Sequence, residues 1–170
     1  MGLKYGRVAM SREELDALCR MVQDADTYVE IGVLWGGSLI EVLKSNSQLR
    51  AWGIDPFNGY YGGNDKWSID EHPTIGKVIA NLRSEGVNDR ATLVKALSDP
   101  FPLELKFDCG LIDGDHAPEW VSKDWNALKT RCKRIAFHDV TDPEIMAVIE
   151  KEVDWQLVEK VDSLMVFKWG

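Results

Sequence analysis

Apolar positions along the chain alternate between a helical and an extended period. Leu15, Leu18, Cys19 and Val22 recur at the spacing of one helix face, and Ser11 with Glu14 has the form of a capping box, so a helix is expected over about residues 12–23. Short β-branched or apolar runs predict strands over about 27–32, 51–54, 91–95, 107–113 and 134–139. Between them, helical patterns cover 38–45, 75–85 up to Gly86, a segment beginning near Pro118, and one from Pro143 to about 153. Two last strands, about 155–161 and 163–169, are separated by Asp162 alone and can only pair antiparallel. The stretch 57–74, rich in Gly, Asn, Asp and aromatic residues, fits no element, and so long a loop in a compact domain is usually functional or mobile.

Strands separated by helices predict an α/β fold. The expected architecture is a Rossmann-like, seven-stranded, mostly parallel sheet with an antiparallel C-terminal pair and helices on both faces. The 170 residues read as one domain, without a repeat or linker. In such sheets ligands sit beyond the carboxyl ends of the strands. There the sequence places Gly32, Asp55, Ala96-Leu97-Ser98, Asp113-Gly114-Asp115-His116 and His138-Asp139, so every polar cluster falls on one edge.

The first cluster is a strand, a glycine turn and a helix start within the run from Tyr28 to Ser38, with Glu30 ahead of Gly32 and the pair Gly36-Gly37 after it. Glycines in such a turn let backbone approach a ligand where a Cβ would clash. The spacing does not fit G-x-G-x-x-G, because Val33 stands where the second glycine belongs, and no P-loop Lys-Ser/Thr follows. An NAD-dependent oxidoreductase is therefore a weak alternative. Asp55, at the end of the next strand, suits both hydroxyls of a ribose; its structural alternative is to open a turn at Pro56.

These residues carry a family resemblance. The chain resembles the class I S-adenosylmethionine-dependent methyltransferases, and among them the small-molecule O-methyltransferase-like subgroup whose fourth strand ends in IDGDH. The matching motifs are the run from Val29 to Ser38, Gly53-Ile-Asp-Pro-Phe57, and Leu111-Ile-Asp-Gly-Asp-His116 with Phe137-His-Asp-Val140. The resemblance spans nearly the whole chain, with the antiparallel end matching a seventh strand inserted beside the fifth. It implies that Glu30, Gly32 and Gly36, leading into Ser38, line the methionine portion of S-adenosylmethionine. It further implies that Asp55 with Pro56 holds the ribose, that Ala96, Leu97 and Ser98 flank the adenine, and that Asp113 faces the reacting methyl.

Asp113, Asp115, His116, His138 and Asp139 form a dense titratable cluster with two uses. One is a divalent metal such as Mg or Mn that binds a substrate hydroxyl and lowers its pKa. Metal-dependent catechol-type relatives place ligands at positions matching Asp113, His138 and Asp139. Here an imidazole replaces an expected carboxylate, which favours a softer ion or none. The other use is general-base catalysis, with His116 as first candidate and His138 as second. The structural alternatives are that His116 caps the helix near Pro118 and that His138 packs under the sheet edge. His72 reads as solvated. Trp67, Tyr60 and Tyr61 in the long loop are candidates for a substrate wall, whereas Trp120 and Trp125 lie on a helix where aromatics are more often core.

Composition narrows the partners. Net charge is −8 with acids dispersed, so the basic footprint that nucleic acid needs is missing. Three widely spaced cysteines, Cys19, Cys109 and Cys132, read as reduced thiols, and no segment has the length of a membrane span or the apolar core of a signal peptide, so a cytoplasmic setting is expected. The expected partner is a small-molecule methyl acceptor, with neither nucleic acid nor membrane. The expected reaction is methyl transfer to a hydroxyl oxygen, and the rival is a binding module that keeps the fold without turnover.

Overall fold

The computed structural model describes residues 8–58 and 73–170. Ser11 opens α1 (Arg12–Met21): its hydroxyl accepts the Glu14 N–H at 3.2 Å while the Glu14 carboxylate accepts the Ser11 N–H at 2.7 Å, the capping box read from the sequence. Then follow β1 (Thr27–Ile31), α2 (Gly37–Ser45), β2 (Arg50–Asp55), α3 (Ile75–Ser84), β3 (Ala91–Lys95), β4 (Cys109–Ile112), α4 (Pro118–Leu128), β5 (Arg134–Phe137), α5 (Pro143–Glu152), β6 (Gln156–Val161) and β7 (Leu164–Lys168). Proline stands in the first turn of both α4 and α5, where its missing N–H costs nothing.

The strands form one seven-stranded sheet in the order β3-β2-β1-β4-β5-β7-β6. The first five run parallel, and β7 inserts antiparallel between β5 and β6. Several strands are shorter than their apolar runs. β4 begins only at Cys109, because Phe107 gives its N–H to the Arg131 carbonyl at 2.8 Å. β5 stops at Phe137, because Asp139 takes a left-handed φ of 54° that turns the chain out of the ladder.

Alternation along each strand feeds two cores. Tyr28 and Leu111 pack on one face with Leu18, Leu39 and Leu82 of α1, α2 and α3. Val29, Ile31, Ile112 and Phe137 pack on the other with Trp125 of α4 and Ile149 of α5. β1 lies between β2 and β4, so the connections diverge at its carboxyl end, and that switch point is where the fold leaves a crevice. Among the described residues, no helix is long and apolar enough to cross a membrane.

Candidate functional site

The carboxyl ends of the parallel strands frame a cavity of about 730 Å³, within the range of small-molecule pockets. Gly32 forms part of its floor with φ +89°, and a Cβ there would stand 1.9 Å from the Asp113 carbonyl oxygen. The glycine turn is thus pressed against the segment that follows β4. Asp55 fixes the turn from the other side: its Oδ2 accepts the Val33 and Leu34 N–H groups at 2.9 and 3.3 Å, and its Oδ1 accepts the Phe57 N–H at 2.6 Å. Asp55 also lines the cavity, as do Pro56, Ala96, Leu97 and Ser98 beside it. The Ala96 N–H donates to the Asp55 carbonyl at 3.2 Å, so the end of β3 is tied to the end of β2.

Two residues expected along the methionine portion stand behind the cavity wall. Glu30 is 0% exposed and absent from the lining. Its carboxylate accepts the Tyr28 hydroxyl at 2.8 Å and the Ser38 hydroxyl at 2.9 Å, because strand alternation turns Glu30 to the same face as Tyr28. Burial pushes this carboxyl up to about 8. Gly36 is also outside the lining; it serves as the left-handed N-cap of α2 with φ 79°. Gly37 and Ser38 do reach the cavity, and Val8, Ala9 and Met10 close that side.

At the other end the titratable cluster divides. His138 is 5% exposed and does not line the cavity. Its Nδ1 lies 3.0 Å from Asp113 Oδ1 and 3.1 Å from Asp139 Oδ2, and its Nε2 lies 3.4 Å from Glu14 Oε2. Burial opposes the charge, but the Asp113 and Asp139 carboxylates outweigh it and push the imidazole up to about 11. Both ring nitrogens of His138 are therefore engaged by carboxylates behind the cavity wall. That corrects its expected roles, since neither nitrogen faces the cavity to take a proton from an acceptor or to join the set that could hold a metal. Asp113, Asp115, His116 and Asp139 all line the cavity. His116 is half-exposed, with Nε2 3.1 Å from Asp139 Oδ2, and that contact raises its pKa. Burial opposes the Asp139 charge, yet the two imidazoles beside it hold its carboxyl well below the usual range. Burial keeps the Asp113 carboxyl above its ordinary value despite His138. The atoms of Asp113, His116 and Asp139 that can hold a metal lie within 4.8 Å of one another, so His116 takes the place expected for His138 in that set.

Of the aromatics, Trp120 lines the cavity with the Lys123 ammonium 4.1 Å from its ring centre, while Trp125 is core and donates its indole N–H to the Glu152 carbonyl at 3.2 Å. Tyr60, Tyr61, Trp67 and His72 lie outside the described residues. Two buried acids escaped the sequence reading of the site. Glu14 joins α1 to His138 and also accepts the Ser163 N–H and hydroxyl, both at 2.7 Å. Asp124 lines the cavity from α4, and burial pushes its carboxyl up to about 7. Its signal was a carboxylate within the apolar stripe Val121, Trp125 and Leu128.

Residues 29–140 match a family described as a methyltransferase domain. Comparison with curated protein sequences finds no match. Among solved structures, an O-methyltransferase family protein from Burkholderia thailandensis is similar with a TM-score of 0.68 at 10% identity, covering 91% of this chain and 55% of that one, so this chain spans little more than half of its length. An O-methyltransferase from Bacillus cereus in complex with S-adenosylhomocysteine has a TM-score of 0.68 at 16% identity, covering 96% of this chain and 84% of that one. A precorrin-6y C5,15-methyltransferase from Geobacter metallireducens has a TM-score of 0.66 at 17% identity, covering 99% of this chain and 94% of that one. At these identities the likeness is one of fold.

Proposed function

The chain belongs to the methyltransferase-domain family, and from that premise we propose that it transfers the methyl group of S-adenosylmethionine to a hydroxyl oxygen of a small molecule. S-adenosylhomocysteine in the Bacillus cereus relative supports the cofactor. Gly32, Gly37 and Ser38 border the methionine portion, Asp55 and Pro56 the ribose, and Ala96, Leu97 and Ser98 the adenine, which leaves Asp113 beside the methyl.

The neighbours include both an O-methyltransferase and a C5,15-methyltransferase, so the choice of oxygen rests on the site itself. The observation that carries it is the 3.1 Å contact between His116 and Asp139 at the cavity wall. With Nε2–H donated to Asp139, Nδ1 keeps its lone pair and can accept the proton of an acceptor hydroxyl. The oxygen then attacks the methyl carbon in line, the carbon–sulfur bond breaks, and its electron pair neutralises the sulfonium. S-adenosylhomocysteine, the methyl ether and protonated His116 remain, which balances charge and atoms.

The donor set Asp113, His116 and Asp139 also fits a divalent cation, and mixed imidazole and carboxylate donors suit Mn or Zn better than Mg. Such an ion would lower the pKa of the acceptor hydroxyl. Chelation separates the two routes to proton removal: activity that survives EDTA belongs to the His116–Asp139 pair, and activity lost with EDTA and restored by Mn belongs to the ion. The reading as a whole is tested by thermal shift. S-adenosylmethionine and S-adenosylhomocysteine should raise the melting temperature by several degrees at about one hundred times their Kd, where linkage supplies about 2.7 kcal/mol. No shift with either ligand at about 1 mM removes the reading, since a ligand that binds the folded state raises its stability once its concentration exceeds Kd.

A further inference from the structure

Glu14 is the acid of a capping box, a task that a carboxylate can perform at a helix surface, yet it is 3% exposed. Its two oxygens are held by donors from distant parts of the chain. Oε2 accepts the Ser11 N–H at 2.7 Å, and Oε1 accepts the Ser163 N–H and hydroxyl, both at 2.7 Å. Ser163 lies in the turn between β6 and β7, so the carboxylate is fixed from two elements and has little freedom to swing. It faces His138, whose Nε2 lies 3.4 Å from Glu14 Oε2 and 3.5 Å from the Ser163 hydroxyl.

At its other nitrogen the same ring bridges two groups that repel one another. Nδ1 stands 3.0 Å from Asp113 Oδ1 and 3.1 Å from Asp139 Oδ2. One N–H can serve both carboxylates only while the ring keeps its plane and tilt, and Glu14 with Ser163 holds its far edge. Asp139 Oδ2 in turn lies 3.1 Å from His116 Nε2. A chain of contacts thus runs from α1 through Glu14, His138 and Asp139 to His116 at the cavity wall. We propose that Glu14 is a positioning residue: by pinning the far edge of His138 it holds Asp139 where that oxygen selects the Nε2–H tautomer of His116 and leaves Nδ1 its lone pair. This rests on the reading of His116 as the proton acceptor above. Which nitrogen of an imidazole keeps its lone pair is set by the hydrogen bond that the other makes, so the acceptor role depends on whatever orients Asp139. That dependence reaches a helix which otherwise packs on α2 and β6, away from the cavity.

The helix cap separates this role from a purely structural one. A capping box accepts Gln as well as Glu, so Glu14→Gln can still cap α1. Its amide nitrogen must then face the N–H of either Ser11 or Ser163, donor to donor, and the side chain no longer holds His138 rigidly. The test is nitrogen NMR of the full chain with isotope-labelled histidine, saturated with S-adenosylhomocysteine, at about pH 9, above the ordinary imidazole range. The sequence has only three histidines, so the spectrum is simple, and His116→Ala assigns the His116 signals. Native His116 should show the Nε2–H tautomer alone. Glu14→Gln should give signals averaged between the two tautomers, while calorimetric affinity for S-adenosylhomocysteine stays within about threefold of native. Ser11→Ala removes the hydroxyl that caps α1 and keeps the carboxylate, so it should lower the melting temperature and leave the His116 signals native. If Glu14→Gln does not fold by circular dichroism, Ser163→Ala decides, because it takes one donor from Glu14 and keeps every charge; mixed tautomers are again expected. A native His116 without a single tautomer, or native His116 signals in the folded deciding variant, overturns the proposal and leaves the cofactor reading standing. Failure of the native protein to bind S-adenosylhomocysteine overturns both.

Discussion

His116 Nε2 lies 3.1 Å from Asp139 Oδ2, and that same oxygen lies 3.1 Å from His138 Nδ1. One carboxylate oxygen between two imidazoles gives them different jobs. His138 is enclosed by three carboxylates that favour its charged form, whereas His116, among the described residues, has only Asp139 at hydrogen-bond distance and faces the cavity. Asp139 raises the His116 pKa above 6.5, and a general base works in its neutral form. The rate should therefore climb with pH through a pKa above 6.5, and Asp139→Asn should move that limb to lower pH. A kcat–pH profile checks this; a native limb at or below 6.5 would contradict it.

Replacing His116 with alanine should reduce kcat by about a hundred- to ten-thousandfold, the usual span for a lost general base. Because His116 lies toward Asp139 and away from Asp55, S-adenosylhomocysteine should bind within about threefold of native. Single-turnover transfer and equilibrium binding, measured on the same preparation, separate the two effects. A loss confined to binding would assign His116 to the pocket wall.

His138 lies within 3.0–3.4 Å of the carboxylates of Glu14, Asp113 and Asp139 inside the protein and offsets part of their charge. Removing a buried charge from such a group strands its partners, so His138→Ala should destabilise the fold by about 3–5 kcal/mol at neutral pH. The sign with pH follows from its raised pKa, about 11 folded against 6.5 for the free imidazole. The stabilisation is full below pH 6.5 and is lost as pH rises toward 11. Urea unfolding from pH 6 to 10 should show that decline in the native protein and a flatter curve in the variant.

Strand and helix order were legible because apolar periods change from two to 3.6 at turns marked by Gly, Pro and Asp. The common edge of the polar clusters was legible too, since strand carboxyl ends can be counted from the same pattern. What escaped were contacts that the pattern does not carry. The capping box showed Glu14 bonded to Ser11 but not that the same carboxylate reaches His138 and Ser163 far along the chain. Nothing local distinguishes His116 from His138; their burial is set by where β7 inserts beside β5 and brings Ser163 over the strand end. Glu30 was misplaced for a different reason: its alternation with Tyr28 already pointed it into the α1–α3 core, and the motif alone suggested the ligand.

Glu30 gives a stability prediction of its own. Burial raises its carboxyl from 4.5 to about 8, so the folded state favours the proton, and its contribution is full below pH 4.5 and lost between 4.5 and 8. Asp124 acts in the same sense between 3.8 and about 7. Glu30→Gln keeps the shape and can hydrogen-bond both Tyr28 and Ser38, so it should melt several degrees above native at pH 8.5 and differ little at pH 5. Binding of S-adenosylhomocysteine should stay within about threefold. A tenfold loss of binding in a folded Glu30→Gln protein would return Glu30 to the cavity wall.

Gly32 and Gly86 both have positive φ, +89° and +73°, but only one is crowded. A Cβ at Gly32 would meet the Asp113 carbonyl oxygen at 1.9 Å, while a Cβ at Gly86 would meet nothing within 4 Å. Alanine at Gly86 therefore bears only the cost of a left-handed residue, about 1–2 kcal/mol, and should leave cofactor binding unchanged. Alanine at Gly32 bears that cost and must also displace backbone, since Asp113 is held in place by its N–H to the Ile31 carbonyl at 2.9 Å. Moving Asp113 shifts both the floor of the cavity and the carboxylate bonded to His138. Gly32→Ala should then lose S-adenosylhomocysteine affinity by about a hundredfold or fail to fold, with Gly86→Ala as the matched control for backbone strain. Equal behaviour of the two variants in melting and binding would show that the close approach of β1 to the segment after β4 is not what shapes the pocket.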